Sequence, residues 1–386
     1  TLAYQMGVEF DRVLEGFDGP FTKITESLAT VPAARVTGAA SAPGYYFGHK
    51  TNNSFVAINR LVAAGEDVRW LNDGPMGAGT FYVAAKPTTR ASLERIAKEL
   101  GVEFQAATSA PAGDSSALRK LRIALFDRYG GMMPSGWTRL IFENFEFPYE
   151  VVYPQDLNAG NLRSKYDVIV FTDGAISAQA GGGGRGGGGG GGGQGPQNIP
   201  QEYQRRLGNI TASETGPKLK EFAEQGGTII AIGGSTAITE WLDLPLKDHL
   251  VEMGPNGQER SLPREKYYVP GSVLRASVDT THPLAHGLPA EVDVFFDNSP
   301  VFALTPRAPA AGVRAIAWFP NATPLRSGWA WGQQYLEGGI AAADVPVGRG
   351  HIYLFGPEIA FRAQPHGTFK FLFNGLYLSV AEKRGR

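Results

Sequence analysis

A serine within a glycine-rich turn is the residue in this sequence best suited to nucleophilic chemistry. Residues 228–232 predict a buried strand, and residues 233–237, Gly-Gly-Ser-Thr-Ala, follow it directly. Small neighbours permit the strained turn that exposes a nucleophile between a strand and a helix at the carboxyl end of a sheet. Ser235 is therefore a candidate nucleophile. The preferred alternative is a tight glycine turn in which Ser235 caps the next helix.

A serine nucleophile also needs a general base and a group that orients the base. The chain has six histidines, and none is placed by sequence alone. His366 or His351 could act as the base, with Glu358 as the orienting carboxylate. Together with Ser235, these residues define the hypothesis that the chain is a serine hydrolase.

A second pattern has the spacing of a metal site. His249 and Glu252 form a His-x-x-Glu pair, and His351 or His366 could supply a distant third ligand. Zinc peptidases use such ligands together with a glutamate as general base. With six histidines the pattern also arises by chance, and a surface position for His249 and Glu252 is the preferred interpretation. We therefore expect no metal and no cofactor in this chain, and keep an active zinc metallocarboxypeptidase as an alternative.

Composition excludes several classes of protein. The chain has 386 residues, of which 42% are hydrophobic and 19% charged, with a formal net charge of -1. These values disfavour both intrinsic disorder and a basic nucleic-acid-binding surface. No apolar run is long enough to span a bilayer, and the absence of cysteine excludes disulfides and thiolate metal sites. The first residue is Thr1, so we expect a processed product or a fragment of a longer protein.

Alternating patterns predict two α/β domains. Residues 44–104 alternate between short strands and helices, and a segment rich in Ala, Pro, Gly and Ser at 109–116 marks the boundary. From residue 122 apolar strands alternate with helices, which indicates a mostly parallel, doubly wound sheet. A strand-rich insertion follows residue 260. The predicted domains are residues 1–112 and 113–386, with a flexible glycine-rich loop at 181–193.

The second unit has a recognisable order of motifs: strands at 122–126 and 168–171, the turn at 233–237, and residues 355–358, Phe-Gly-Pro-Glu. In this order it resembles the class I glutamine amidotransferase-like fold. In that family the turn residue is Cys and the last strand leads into His-Pro-Glu. Here Ser235 stands at the turn, Gly356 replaces the histidine, and only Pro357 and Glu358 match. The resemblance therefore implies a pseudo-amidotransferase site that lacks both Cys and His.

Further distinctive stretches are spread over nearly the whole chain, at residues 127–131, 133–139, 295–302, 326–332 and 361–367. In these stretches the chain is similar to the C-terminal half of secreted bacterial proteins of the zinc carboxypeptidase (carboxypeptidase A-like) family, in which a signal peptide and a zinc peptidase domain come first. The resemblance implies a secreted or periplasmic location and a zinc ion only in the missing peptidase domain.

The sequence as a whole favours a non-catalytic accessory, binding or assembly region of such a protein. The expected partner is a protein, either the peptidase domain or a second copy of the chain. Clustered aromatic side chains are candidates for stacking on a peptide or a glycan or for an interface, although packing between sheet and helices is the preferred interpretation for them. The residues concerned are Trp137, Trp329, Trp331 and Tyr335.

Overall fold

Two β-sheets with helices packed against them form the chain. The computed structural model describes residues 2–21, 31–177 and 199–383. The glycine-rich stretch at 181–193, for which a flexible loop is predicted, lies outside the described residues.

The first sheet is built mainly from the N-terminal third of the chain. Its strands are β1 (Val36–Thr37), β2 (Gly44–Phe47), β3 (Val68–Leu71), β4 (Phe81–Ala84), β5 (Phe104–Ala106), β6 (Ser115–Ala117) and β21 (Glu382–Lys383). The helices of this third are α1 (Leu2–Met6), α2 (Asn53–Ala63) and α3 (Thr89–Leu100).

The strand order of this first sheet is β1-β5-β2-β4-β3-β6-β21. Strands β2 and β3 flank β4, and both run antiparallel to it. The units β2-α2-β3 and β4-α3-β5 are thus βαβ units split by a third strand, as in ferredoxin-like folds. The alternation predicted for residues 44–104 is confirmed, but most neighbouring strands are antiparallel rather than parallel.

The rest of the chain forms a second, larger sheet, here called the central sheet. Its strands are β7 (Ile123–Phe126), β8 (Tyr149–Val152), β9 (Val168–Phe171), β10 (Thr228–Ile232), β11 (Leu246–Asp248), β14 (Ser272–Val278), β15 (Glu291–Phe296), β16 (Phe302–Leu304), β17 (Arg314–Trp318), β18 (Leu325–Ser327), β19 (Ile340–Val347) and β20 (Gly350–Phe355). A separate hairpin pairs β12 (Val251–Met253) with β13 (Glu259–Ser261).

Helices connect these strands. The α-helices are α4 (Met133–Asn144), α5 (Pro154–Asn158), α6 (Leu162–Lys165), α7 (Thr215–Glu224), α8 (Ile238–Trp241) and α9 (Phe369–Leu378). The 3₁₀ helices are Gln201–Arg206, Gly233–Ala237, Pro283–Ala285, Gln333–Leu336 and Phe361–Ala363.

Half of the central sheet is parallel and half is antiparallel. Strands β8, β7, β9, β10 and β20 are neighbours in that order and run parallel. Beyond β20 the sheet continues through β19, β17, β14 and β15 with antiparallel pairing. The strand-rich segment predicted after residue 260 therefore extends the same sheet. The predicted α/β class is confirmed.

Both faces of the parallel half are buried, which explains the continuous apolar character of its strands. On β10, Ile230 and Ile232 point into one hydrophobic cluster, while Ile229 and Ala231 point into another. Helices α4 and α9 contribute to the first cluster, and α5, α6 and α7 contribute to the second. This is the doubly wound arrangement that the alternating pattern predicts.

The first hydrophobic cluster also joins the two sheets. Phe55 of α2 packs on Phe373 of α9 with ring centroids 5.1 Å apart, and β21 pairs with β6 at the edge of the first sheet. The end of the chain thus returns to the sheet formed by its beginning. The boundary between residues 112 and 113 stays a prediction. In the part of the chain that is described, no helix is both long and apolar enough to cross a bilayer.

Candidate functional site

The turn after β10 is made by Gly233, not by Ser235. Gly233 has φ +60°, and a Cβ atom placed on it would lie 2.4 Å from Asp173 Oδ1. Only glycine fits there, because other residues rarely adopt this conformation and the space is already filled. The hypothesis of a serine nucleophile requires Ser235 at the exposed position of this turn, whereas the preferred interpretation is a tight glycine turn. In the structure the residue with the left-handed conformation is Gly233, two positions before Ser235.

Ser235 is fully buried, and its hydroxyl is engaged by backbone groups. Oγ donates to the carbonyl of Thr172 at 2.5 Å and accepts from the N–H groups of Ala175 and Ile176, each at 3.0 Å. A serine hydroxyl has one donor and two acceptor positions, so its capacity is used completely. Ser235 joins the turn after β10 to the loop after β9. It caps that loop rather than its own helix.

The side chain of Asp173 accepts a hydrogen bond from one backbone N–H group of the same turn. Its Oδ1 accepts from the N–H of Gly234 at 2.7 Å. In enzymes with a nucleophile at such a turn, the N–H that follows the nucleophile stabilises the oxyanion of the reaction. Here Gly234 follows the turn residue, and a carboxylate already fills the position of an oxyanion. Burial raises the pKa of Asp173, and the nearby Asp297 raises it further.

Glu358 lies in the loop that follows β20, close to Asp173. Burial raises the pKa of Glu358 to about 8, and the neighbouring charges of Asp173 and Asp297 act in the same direction. Glu358 is therefore mostly protonated at neutral pH. The carboxyl ends of β9 and β20, on either side of β10, bring Asp173 and Glu358 together, as expected for parallel strands in an open sheet. Asp297 follows β15, in the antiparallel half of the sheet.

Asp173 and Glu358 lie at a small cavity, which we call the carboxyl-end crevice. Its volume is about 80 Å³. Helix α4 forms one wall and the 3₁₀ helix Phe361–Ala363 forms the other. The lining residues are Met133, Pro134, Trp137, Thr138, Thr172, Asp173, Ile232, Glu358, Ala360, Phe361 and Arg362. Asp297 is close by but not among them, and no histidine of the described residues lines this crevice.

The two candidate bases lie elsewhere. His366 lines a different cavity and packs on Phe369 with ring centroids 4.6 Å apart. His351 is at the amino end of β20, opposite to Glu358, and its Nδ1 lies 2.8 Å from Asp344 Oδ1. Within the described residues, no hydrogen bond connects Ser235 to a histidine or to Glu358. The structure therefore does not assemble the predicted serine triad.

The candidate zinc ligands are also separated. Glu252 is on β12 of the hairpin, where it forms ion pairs with Arg260 at 2.7 Å and with Lys266. His249 precedes that strand, while His351 is bound to Asp344 in the central sheet. Residues 2–21, 31–177 and 199–383 contain no group of three or more side chains arranged to hold a metal ion.

A larger cavity lies between the N-terminal segment and the central sheet. Its volume is about 1130 Å³, and residues 6–12 form part of its wall. His366 and Lys370 line it, and Lys370 Nζ contacts Asn52 Oδ1 at 3.2 Å. Burial lowers the pKa of Lys370 to about 8. No local pattern in the sequence predicts this cavity, because its walls come from distant segments.

The aromatic side chains that are candidates for ligand binding lie largely at the surface. Trp329 and Trp331 are each about half exposed, and Tyr268 lies beside Trp329 with ring centroids 6.0 Å apart. The guanidinium of Arg264 covers the Tyr268 ring at 3.9 Å. Trp137, Trp329, Trp331 and Tyr335 are all partly exposed, so the preferred interpretation that they pack in the core is wrong.

Asp173 and Asp297 are the site residues that sequence reasoning did not single out as functional. Asp173 comes two residues after the buried strand β9, and polar side chains collect at the carboxyl ends of parallel strands. Its position in the sequence could therefore have marked it as a candidate site residue. Asp297 comes from the antiparallel part of the sheet, and nothing in its local sequence places it near the end of β20.

No protein-family model matches the chain, and no curated protein matches it. Solved structures do match at low identity. A glutamine amidotransferase from Thermotoga maritima has 11% identity and a TM-score of 0.34, over 68% of this chain and 96% of that one. A protein assigned as one subunit of GMP synthase, from Thermoplasma acidophilum, has 11% identity and a TM-score of 0.39, over 68% and 94%. A β-galactosidase from Bacillus circulans has 8% identity and a TM-score of 0.37, over 68% and 31%.

Proposed function

We propose that this chain is a non-catalytic binding or assembly region of a secreted zinc carboxypeptidase-like protein, with a closed pseudo-amidotransferase site. The single observation that carries the non-catalytic part is the state of Ser235. Its hydroxyl is buried and makes three hydrogen bonds to backbone groups. A nucleophile must instead reach its substrate and contact a base.

The surroundings of Ser235 support the same proposal. The N–H group of Gly234 already donates to Asp173, so it is not available to stabilise an oxyanion at this turn. Among the described residues no histidine lines the crevice, so Glu358, which would orient a base, has none to orient. Apolar side chains together with Asp173 and Glu358 line the crevice, and this lining suits binding rather than acyl transfer.

The parent protein and the location are proposed from the sequence resemblance alone. The peptidase domain would carry the zinc ion, and this region would bind that domain, a second copy of the chain or another protein in the secreted or periplasmic space. The candidate ligand Glu252 is paired with Arg260 and Lys266, which supports assigning the zinc ion to the peptidase domain.

The test combines metal analysis with ester turnover. We expect less than about 0.1 zinc per chain by elemental analysis of the purified protein, and turnover of p-nitrophenyl acetate no faster than that of a heat-denatured sample. Ser235→Ala should leave that background unchanged and should lower the melting temperature, because the N–H groups of Ala175 and Ile176 lose their buried acceptor. Each unsatisfied buried group costs about 1–3 kcal/mol.

Two results would overturn the proposal. Turnover that disappears in Ser235→Ala, while a folded Ser177→Ala control keeps it, would establish a serine hydrolase. About one zinc per chain, lost when His249 is replaced by alanine, would establish a metal site in this region.

A further inference from the structure

We propose that the carboxyl-end crevice binds the basic side chain of a lysine or arginine that has apolar neighbours in a partner polypeptide. This inference rests on the proposed function, because it requires the crevice to be a binding site rather than a catalytic one. It adds the chemistry of the ligand.

Acidic side chains without an ion pair are the first argument. Asp173 and Glu358 line the crevice, Asp297 lies near enough to influence both, and among the described residues none of the three forms an ion pair. Arg362 also lines the crevice and lowers the pKa of Glu358, but its guanidinium lies over the ring of Phe361 at 5.0 Å from the centroid. Glu358 is mostly neutral at pH 7, because ionisation beside the two aspartates in a partly dry site is costly. A bound ammonium or guanidinium group would favour its ionised form.

The shape of the crevice fits an aliphatic stem. Trp137, Phe361 and Ile232 form apolar walls around a volume of about 80 Å³. This is room for several water molecules, each of which needs roughly 10–15 Å³. The ring of Phe361 is held by stacking on Phe295, with centroids 3.8 Å apart. Lysine and arginine place an apolar stem below a charged head, and aromatic faces attract such cations.

A buried hydroxyl without a partner is an independent sign of a ligand. Thr172 lines the crevice and is 2% exposed, and its Oγ1 has no hydrogen-bond partner. Buried polar groups are nearly always paired, so an unpaired one at a cavity indicates a missing group. An ammonium or guanidinium donor inserted beside Asp173 would provide that partner.

The outer surface of α4 indicates that the ligand is part of a polypeptide. Met133, Trp137 and Leu140 are 71%, 36% and 38% exposed, and their spacing places them along one face of the helix. Met133 and Trp137 also line the crevice. Apolar residues beside a bound lysine or arginine would cover this face, whereas a free amine would leave it in water.

The test is calorimetric titration at pH 8 with capped peptides. We expect acetyl-Ala-Leu-Lys-Leu-Ala-amide and its arginine analogue to bind with Kd below about 1 mM. The matched peptide with norleucine keeps the stem without the charge and should bind at least tenfold more weakly. Nα-acetyl-lysine amide, which has the same side-chain ammonium group but no neighbouring residues, should also bind at least tenfold more weakly.

Variants assign the binding to the crevice. Glu358→Gln and Asp297→Asn should each weaken binding of the lysine peptide at least fivefold. Glu103→Gln, the same change at an exposed position near the first sheet, should stay within twofold of the original chain. Circular dichroism and melting curves show that the variants remain folded. Because Asp297 is exposed, its variant provides a test even if Glu358→Gln were to unfold.

Each outcome decides between the alternatives. Equal binding of the lysine and norleucine peptides, or no effect of Glu358→Gln and Asp297→Asn, would overturn the inference. Equal binding of acetyl-lysine amide would overturn the polypeptide source, and self-association lost in Asp297→Asn would make a second copy the occupant. If neither peptide binding nor ester turnover is detected, this inference is wrong and the proposed function stands. If ester turnover depends on Ser235, the proposed function itself is wrong.

Discussion

At the scale of single residues, Glu358 shows how position within the fold sets chemistry. The sequence predicts an orienting carboxylate, which would act as an anion. In the structure, burial and the neighbouring Asp173 and Asp297 raise its pKa to about 8, so the neutral acid is the main form near pH 7. The folded state then binds a proton that the unfolded chain releases above its ordinary pKa of about 4.3.

This difference predicts the pH dependence of stability. Because the folded-state pKa is raised, the contribution of Glu358 is fully present below about pH 4 and is lost as the pH rises toward 8. Glu358→Gln mimics the neutral acid and cannot lose a proton. The variant should match the original chain near pH 5 and exceed it by about 2–4 kcal/mol at pH 9, where the carboxylate is charged in a partly buried site.

Thermal melts of both proteins from pH 5 to pH 9 measure this effect, with Glu103→Gln as an exposed control. The difference between two curves removes the contributions of all groups that the substitution leaves alone. A constant difference across this range would show that Glu358 titrates as an ordinary glutamate.

Local sequence was sufficient for the strands and for the turn after β10, but not for the side chains within that turn. Residues 229–232 are apolar without interruption and predict a buried strand directly. The direction of the Ser235 side chain depends on which residue of the turn adopts a positive φ. In the structure this residue is Gly233, which lies against Asp173 in the loop after β9. Contacts of this kind join residues about 60 positions apart, so no local pattern encodes them.

The start of α4 shows the same limit of local sequence. The pattern of residues 135–143 predicts a helix for which Ser135 is a candidate N-cap, whereas α4 begins at Met133, with Pro134 in its first turn. Proline is well suited to that turn because its missing N–H would have no partner there. Ser135 is therefore inside the helix, and it does not cap it.

At the scale of elements, one buried carboxylate holds α6, β9 and the segment before β7 together. Asp167 is fully buried and forms ion pairs with Arg119 at 2.9 Å, Arg122 at 2.7 Å and Arg163 at 2.8 Å. Burial alone would raise the pKa of Asp167, but the three guanidinium groups outweigh it and hold the pKa well below its usual range. The charged form is therefore strongly favoured in the folded chain.

Asp167→Asn should lower the free energy of unfolding by about 2–4 kcal/mol at pH 7, because three guanidinium groups lose a buried charged partner. A lowered folded-state pKa means that this contribution is present above about pH 4 and is lost as the pH falls below it. The difference between variant and original chain should therefore shrink toward pH 3. Denaturant titrations at pH 7, 5 and 3 measure it.

Asp243→Asn is the matched control for this prediction. Asp243 pairs with Arg307 at 2.8 Å, but both side chains are mostly exposed to water, and such pairs contribute little. Equal effects of the two substitutions would mean that the Asp167 network is no stronger than a surface ion pair.

At the scale of the whole molecule, Asn374 on α9 connects the two sheets. Its Nδ2 donates to the carbonyls of Leu284 and His286, each at 3.0 Å, and its Oδ1 lies 2.7 Å from Nε2 of His49. His49 follows β2 of the first sheet, and Leu284 and His286 belong to the segment after β14. Asn374 is fully buried, so none of these groups can turn to water instead.

This connection predicts a single cooperative unfolding transition. Asn374→Ala leaves at least two buried carbonyls without a donor and should destabilise the chain by about 2–4 kcal/mol. Because one hydrophobic cluster runs from Phe55 to Phe373, both sheets should melt together in the variant at a lower temperature. Scanning calorimetry measures this, with Asn209→Ala as an exposed control. Two separate transitions, with the first confined to residues 1–112, would instead support two independent domains and would limit Asn374 to a contact between them.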